Sequence, residues 1–237
     1  MIPRFMLVSI GVALWLGTAV GQSFEAASIK PNKSGSNNSS THNTNGGMTA
    51  ENVSLKQLIE RAYSVADYSL IGPDWLGDDK FDIAAKPPSG APTGQNRLML
   101  QSLLAERFGL AVHHETRLLP GYALVAGKKP PVLREKLAGS GTNTNSNRGS
   151  LNGTNISMAE LASLLSRQLD QPVQDQTGLS GVLDVSLEWS TDQAHTDDRA
   201  FSIMTAVQEQ LGLKLQSQKV TVDVLVVDHV ERVPSEN

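Results

Sequence analysis

Asn52-Val53-Ser54-Leu55-Lys56-Gln57-Leu58 is answered 103 positions later by Asn155-Ile156-Ser157-Met158-Ala159-Glu160-Leu161. The echo extends further along the chain: Phe81-Asp82-Ile83 returns as Leu183-Asp184-Val185, and Phe108-Gly109-Leu110 returns as Leu211-Gly212-Leu213. A repeated unit of this size favours two related lobes over one doubly wound domain, because each copy supplies half of a core or one face of a groove.

Each copy carries its own folding signals. Ser54-x-x-Gln57 and Ser157-x-x-Glu160 place a hydroxyl at a helix N-cap and a long polar acceptor three residues on, the capping-box pattern. The apolar stripes that follow coincide, with Leu55, Leu58, Ile59 and Ala62 in one copy and Met158, Leu161, Ala162 and Leu165 in the other. A second helix reads Leu100, Leu104, Phe108 against Ile203, Val207, Leu211, and ends at Gly109 or Gly212, suited to a left-handed C-terminal cap. Strands are expected at 81–86 and 183–188, then at 110–117 with 121–126, and at 213–218 with 221–230. The unit is therefore β-α-β-α-β-β, and the fold expected is α+β: two related halves, with mixed or largely antiparallel sheets and helices packed on one face.

Two tracts rich in Asn, Ser, Thr and Gly, 33–47 and 139–155, precede the two copies of the motif. Such composition buries little apolar surface and favours turns, so both are expected as flexible loops. The division that results is a signal peptide at 1–21, a first half at 22–138, a loop at 139–155 and a second half at 156–237. The signal consists of Arg4, an apolar run from Phe5 to Leu16, and small residues Ala19-Val20-Gly21 before a cleavage point at Gln22. The 16-residue apolar stretch from Phe5 to Val20 is short for a spanning helix, which needs about 20 apolar residues, and no later segment approaches that length. A periplasmic or extracellular location follows.

The chain has no cysteine, so neither disulfides nor thiolate chemistry is available to it. With 20 Lys and Arg against 24 Asp and Glu, and no basic cluster, it is a poor partner for nucleic acid or anionic membrane.

Several separate motifs, read in order, carry a family resemblance. They are Phe24-Glu25-Ala26-Ala27-Ser28-Ile29-Lys30-Pro31, Asn52 to Ile59, Gly72-Pro73-Asp74-Trp75-Leu76, Leu103-Leu104-Ala105-Glu106-Arg107-Phe108, Asp175-Gln176-Thr177-Gly178-Leu179-Ser180-Gly181, and the tail from Asp228-His229-Val230-Glu231 to Pro234-Ser235-Glu236-Asn237. Together they resemble the Solibacter-type uncharacterised exported protein family, an acidobacterial domain of unknown function. The resemblance implies an exported protein. Some members of that family follow a membrane metallopeptidase of the antibiotic-sensor type, which implies a sensing or ligand-binding role.

The hydrolase and phosphate-binding signatures G-x-S-x-G, H-E-x-x-H and the phosphate-cradling glycine loop are absent. His113 and His114 are neighbours on an expected strand, so they face opposite ways and cannot share a metal ion. One of them with Glu115 or Glu106 could act as ligand or base; a polar strand face is the plainer reading. Asp192, His195, Asp197 and Asp198 form an oxygen-rich loop but lack the alternating acid spacing and Gly of a calcium loop. Asp82 and Asp184 recur at matching positions and would be the acid/base pair of a carboxylate-dependent hydrolase if they met; a capping or turn role is the alternative. Trp75, Asp74 and Tyr68 lie in and beside a Gly- and Pro-rich turn, where an aromatic next to an acid can stack on a sugar or a peptide. The competing reading makes Trp75 and Trp189 lids over the core.

The expectation is a non-catalytic binding or interaction module of the bacterial cell envelope. Its ligand, an envelope glycan or peptide, would sit between the halves at Trp75, Asp74 and Tyr68, with no cofactor and no metal. The alternatives are the exported hydrolase and a channel- or secretion-associated domain, the latter by fold analogy alone.

Overall fold

A computed structural model describes residues 23–44, 47–90, 94–135, 141–147, 149–190 and 196–235. The expected signal peptide lies outside them, and so do Asp192 and His195 and the side chains of Asp197 and Asp198.

The chain runs β1 (Ala26–Pro31), β2 (Ser40–Thr44), β3 (Gly47–Ser54), α1 (Leu55–Tyr63), β4 (Leu70–Ile71), β5 (Lys80–Lys86), α2 (Asn96–Phe108) and β6 (Ala111–Ala126). It continues as β7 (Asn143–Asn147), β8 (Ser150–Ser157), α3 (Met158–Leu169), β9 (Val173–Asp175), β10 (Val182–Glu188), α4 (Thr196–Leu211) and β11 (Leu213–His229). From β2 onward one element order, β-β-α-β-β-α-β, occurs twice. Strands and helices mix throughout, and antiparallel pairing dominates the sheets.

Local signals account for the helices. Ser54 Oγ accepts from the Gln57 N–H at 3.2 Å while Gln57 Oε1 accepts from the Ser54 N–H at 2.9 Å, and Ser157 and Glu160 repeat the arrangement. α2 and α4 stop at Gly109 (φ 59°) and Gly212 (φ 64°), the left-handed residues expected there.

Three sheets result, ordered β1-β5-β3-β2, β10-β8-β7 and β4-β11-β6-β9. Each of the first two lies over a core of its own. Leu58, Ile59, Phe81, Leu104 and Phe108 are central to one core, with the Phe81 and Phe108 rings edge to face at 5.3 Å. Leu151, Ile156, Leu161, Leu165 and Val207 are central to the other. The third sheet joins them: β6 and β11 pair along nearly their whole length, Leu225 of β11 enters the first core, and Leu124, Leu213 and Leu215 enter the second. The short strands cross over, β4 lying parallel to β11 and β9 parallel to β6.

Two expectations are corrected. The separate strand pairs expected over 110–126 and 213–230 are two continuous strands of 16 and 17 residues that pair with each other. Pro120 does not interrupt β6. The Tyr122 N–H points away from β11, to the Pro172 carbonyl, and by alternation Pro120 also turns its nitrogen outward, where a missing N–H breaks no ladder bond. The Asn/Ser tracts, expected as loops, form much of the hairpins β2–β3 and β7–β8. β2 and β7 are polar edge strands, which need no apolar face to pair.

Candidate functional site

The repeated Asn-x-Ser motif shapes the site. β3 and β8 each carry one extra residue against their neighbours, where the register shifts between Ala50 and Val53 and opposite Leu183 and Val185. At those bulges Asn52 (φ 55°) and Asn155 (φ 58°) adopt the left-handed conformation that Asn tolerates better than most residues.

The two recurring acids hold these bulges. Asp82 Oδ1 accepts from the Asn52 N–H at 2.9 Å and from Asn32 Nδ2 at 2.7 Å; the Asn32 amide first, then the Asn52 N–H, hold its pKa below the usual carboxylate value. Asp184 Oδ1 accepts from the Asn155 N–H at 3.0 Å and from the Arg134 guanidinium at 2.6 Å, and those donors, in that order, lower its pKa as well. The acids lie in separate sheets, each bonded to its own bulge, so the structure does not bring them together as a pair.

Around Asp82 a cleft of about 450 Å³ opens on the outer face of the first sheet. Ser28, Thr49 and Ala84 line it with small side chains, Lys30 adds a positive charge against the two acids Glu51 and Asp82, and the loop from Asn32 to Asn38 borders it. The Asn52 side-chain amide donates to the Ser36 and Asn38 carbonyls at 2.7 and 2.8 Å and so fixes that border. A second hollow of about 400 Å³, lined in part by Ala26, Ser28, Thr49 and Lys86, continues the trough along the same face. The sequence reading missed this site. Its signal was present in the excess of Ser and Asn in 32–38 together with an Asn in the repeated motif.

Tyr68, Asp74 and Trp75 sit elsewhere, in two 3-10 turns (Asp67–Ser69 and Asp74–Gly77) that flank β4. Trp75 is half-buried against the first core, and the Arg232 guanidinium lies over its ring at 5.6 Å while bonding Asp79 at 2.5 Å. Asp74 is exposed and Tyr68 half-buried. Trp189 is buried in the second core. His113 bonds Asp228 at 2.8 Å and His114 bonds Asp223 at 2.9 Å, from opposite faces of β6, and Asp228 raises the His113 pKa. Among the described residues no group of three or more His, Asp or Glu is placed to hold a metal ion, and no helix is long and apolar enough to cross a membrane.

A family model described as "Protein of unknown function (DUF3738)" matches residues 56–230. No curated protein and no solved structure matches the chain.

Proposed function

We propose, from the premise that this chain belongs to the DUF3738 family, that it is an exported, non-catalytic binding module of the cell envelope. In this reading the trough on the outer face of the first sheet takes an envelope glycan. The observation that carries the reading is the contrast between two uses of polar groups. Asp82 and Asp184, the acids best placed by sequence for hydrolysis, are committed to bracing bulges, whereas Lys30, Glu51, Ser28 and Thr49 line an open cleft of about 450 Å³. Hydroxyls and amides beside one lysine and two acids, over a floor of small side chains, suit a polyhydroxylated ligand, which bonds through many polar contacts. The amino-terminal segment supports export, and the ordered motifs support the Solibacter-type attribution.

The experiment is calorimetric titration of the mature chain with soluble peptidoglycan fragments, using wild type, Lys30→Ala, Glu51→Ala and Trp75→Ala. The expected outcome is binding that either cleft substitution weakens about tenfold, in line with the loss of a charge-assisted hydrogen bond. Trp75→Ala separates the two placements: a ligand at Trp75 would have to displace Arg232, so unchanged affinity in that variant is expected. Equal affinity in all four proteins, or none in wild type, overturns the assignment.

A further inference from the structure

The two sheets that cover the separate cores differ at one edge. In the first, β1 pairs with the outer edge of β5 from Ala26 opposite Lys86 to Pro31 opposite Phe81. The corresponding segment of the second half begins the same way: the Asn32 N–H donates to the Lys80 carbonyl at 2.7 Å, and the Arg134 N–H donates to the Val182 carbonyl at 2.9 Å. There the likeness stops. Counting back from Arg134 as β1 counts back from Asn32, Pro130 takes the place of Ser28, and Pro130 has no N–H to give. The segment bows away from β10. Val132 stands 95% exposed, and a cleft of about 550 Å³ opens between 129–134, β10 and the end of α4.

Alternation shows what the bow leaves unpaired. The Trp189 N–H is bonded toward β8, to the Gly149 carbonyl, so Val182, Asp184, Ser186 and Glu188 turn their backbone groups to the outer edge. Val182 is bridged to Arg134 in both directions, and Glu188 is capped by Gln210, whose amide accepts from its N–H at 3.0 Å and donates to its carbonyl at 2.7 Å. Among the described residues, the backbone groups of Asp184 and Ser186 have no such partner. The side chains on the same outward positions read acid, Ser, acid.

From this edge we infer that β10 takes an extended peptide of another protein, added antiparallel in the place that β1 fills in the first half, with the pattern basic, apolar, Ser or Thr, apolar, basic. β1 supplies the template. Lys30 lies opposite Asp82, Glu25 pairs with Lys86 at 3.6 Å, and Ile29 opposite Ile83 closes the first core. Transposed to β10, a basic residue lies opposite Glu188 and complements its charge, a second lies opposite Asp184 and shares its carboxylate with Arg134, and the apolar residues lie opposite Val185 and Leu187, both part of the second core. Main-chain bonds to Ser186 and Asp184 supply affinity and the flanking side chains supply register, the division of labour in strand addition.

The test uses the mature chain and two fluorophore-labelled synthetic peptides, Lys-Val-Ser-Ile-Lys and its charge-inverted form Glu-Val-Ser-Ile-Glu, each flanked by glycines, read by fluorescence anisotropy. Wild type is expected to bind the basic peptide and not the acidic one. Ser186→Pro, which removes an edge N–H, is expected to weaken binding at least tenfold. Glu188→Lys is expected to weaken it about tenfold, and it decides the matter if Ser186→Pro does not retain the wild-type melting temperature. Gln210→Ala, which frees the backbone of Glu188, is expected to tighten binding about three- to tenfold, the worth of the bonds released. Equal binding of the two peptides, or binding unchanged in Ser186→Pro and Glu188→Lys, overturns the inference. So does a self-association of the chain that excludes the peptide, since it would assign the edge to a second copy.

Discussion

Asn52 carries more of this structure than its place between Glu51 and Val53 at the end of a strand suggests. It is 6% exposed, its backbone is left-handed, its N–H binds Asp82, and its side chain holds two carbonyls of the bordering loop. Asn52→Ala is expected to cost about 2 kcal/mol in urea unfolding, from left-handed strain of about 1 kcal/mol and from the two lost bonds. Asn52→Gly should recover only the backbone part. Glu60 behaves in the opposite sense: burial first, then the neighbouring Asp67 and Asp170, raise its pKa, and one carboxylate oxygen has no hydrogen-bond partner. A group whose folded pKa is raised contributes stability at pH below its unfolded value, and that contribution is lost as pH rises through the folded value. Glu60→Gln should therefore melt higher than wild type at pH 7, with the difference vanishing near pH 3. The sequence singled out Asp82 and Asp184 correctly as recurring, but recurrence does not distinguish an acid that reacts from one that braces a bulge. Only the neighbouring N–H groups do, and those are set by a register shift with no residue signature of its own.

Among the elements, those ruled by local chemistry were legible. Both capping boxes and both glycine helix stops stand where the pattern puts them, because each is satisfied within a few residues of chain. The glycines also differ in a way no local rule reveals. A Cβ at Gly109 would meet the His229 and Glu231 side chains at ordinary contact distances of 3.5 and 3.6 Å, whereas one at Gly212 would collide with the Lys129 carbonyl. Gly109→Ala should cost about 1 kcal/mol, the left-handed penalty alone, and Gly212→Ala at least twice that, measured as the shift in unfolding free energy. The length of β6 and β11 was not legible. Leu118-Leu119-Pro120-Gly121 reads as a turn, and it continues as strand because the pairing partner comes from the other half and leaves the Pro120 nitrogen on the free side.

At the scale of the molecule, the two cores are tied by exchange: β4 follows α1 yet pairs with β11, and β9 follows α3 yet pairs with β6. Neither half completes the joining sheet without the other, so unfolding should be a single transition. Trp75 lies against the first core and Trp189 in the second, and variants retaining one or the other as fluorescence probe should report the same urea midpoint; separate midpoints would contradict the interlocked architecture. What recurs along the chain is the element order β-β-α-β-β-α-β, and the binding surfaces proposed lie where its two occurrences differ: a walled cleft on the first sheet and an uncovered edge on the second. The most direct measurement of that account is an amide chemical-shift titration of the mature chain with soluble peptidoglycan fragments, with the fragments themselves followed in the same tube. The account predicts saturable shifts centred on Ser28, Lys30, Thr49 and Glu51, with the fragments unaltered. Shifts absent from that cleft, or fragments converted to products, would contradict it.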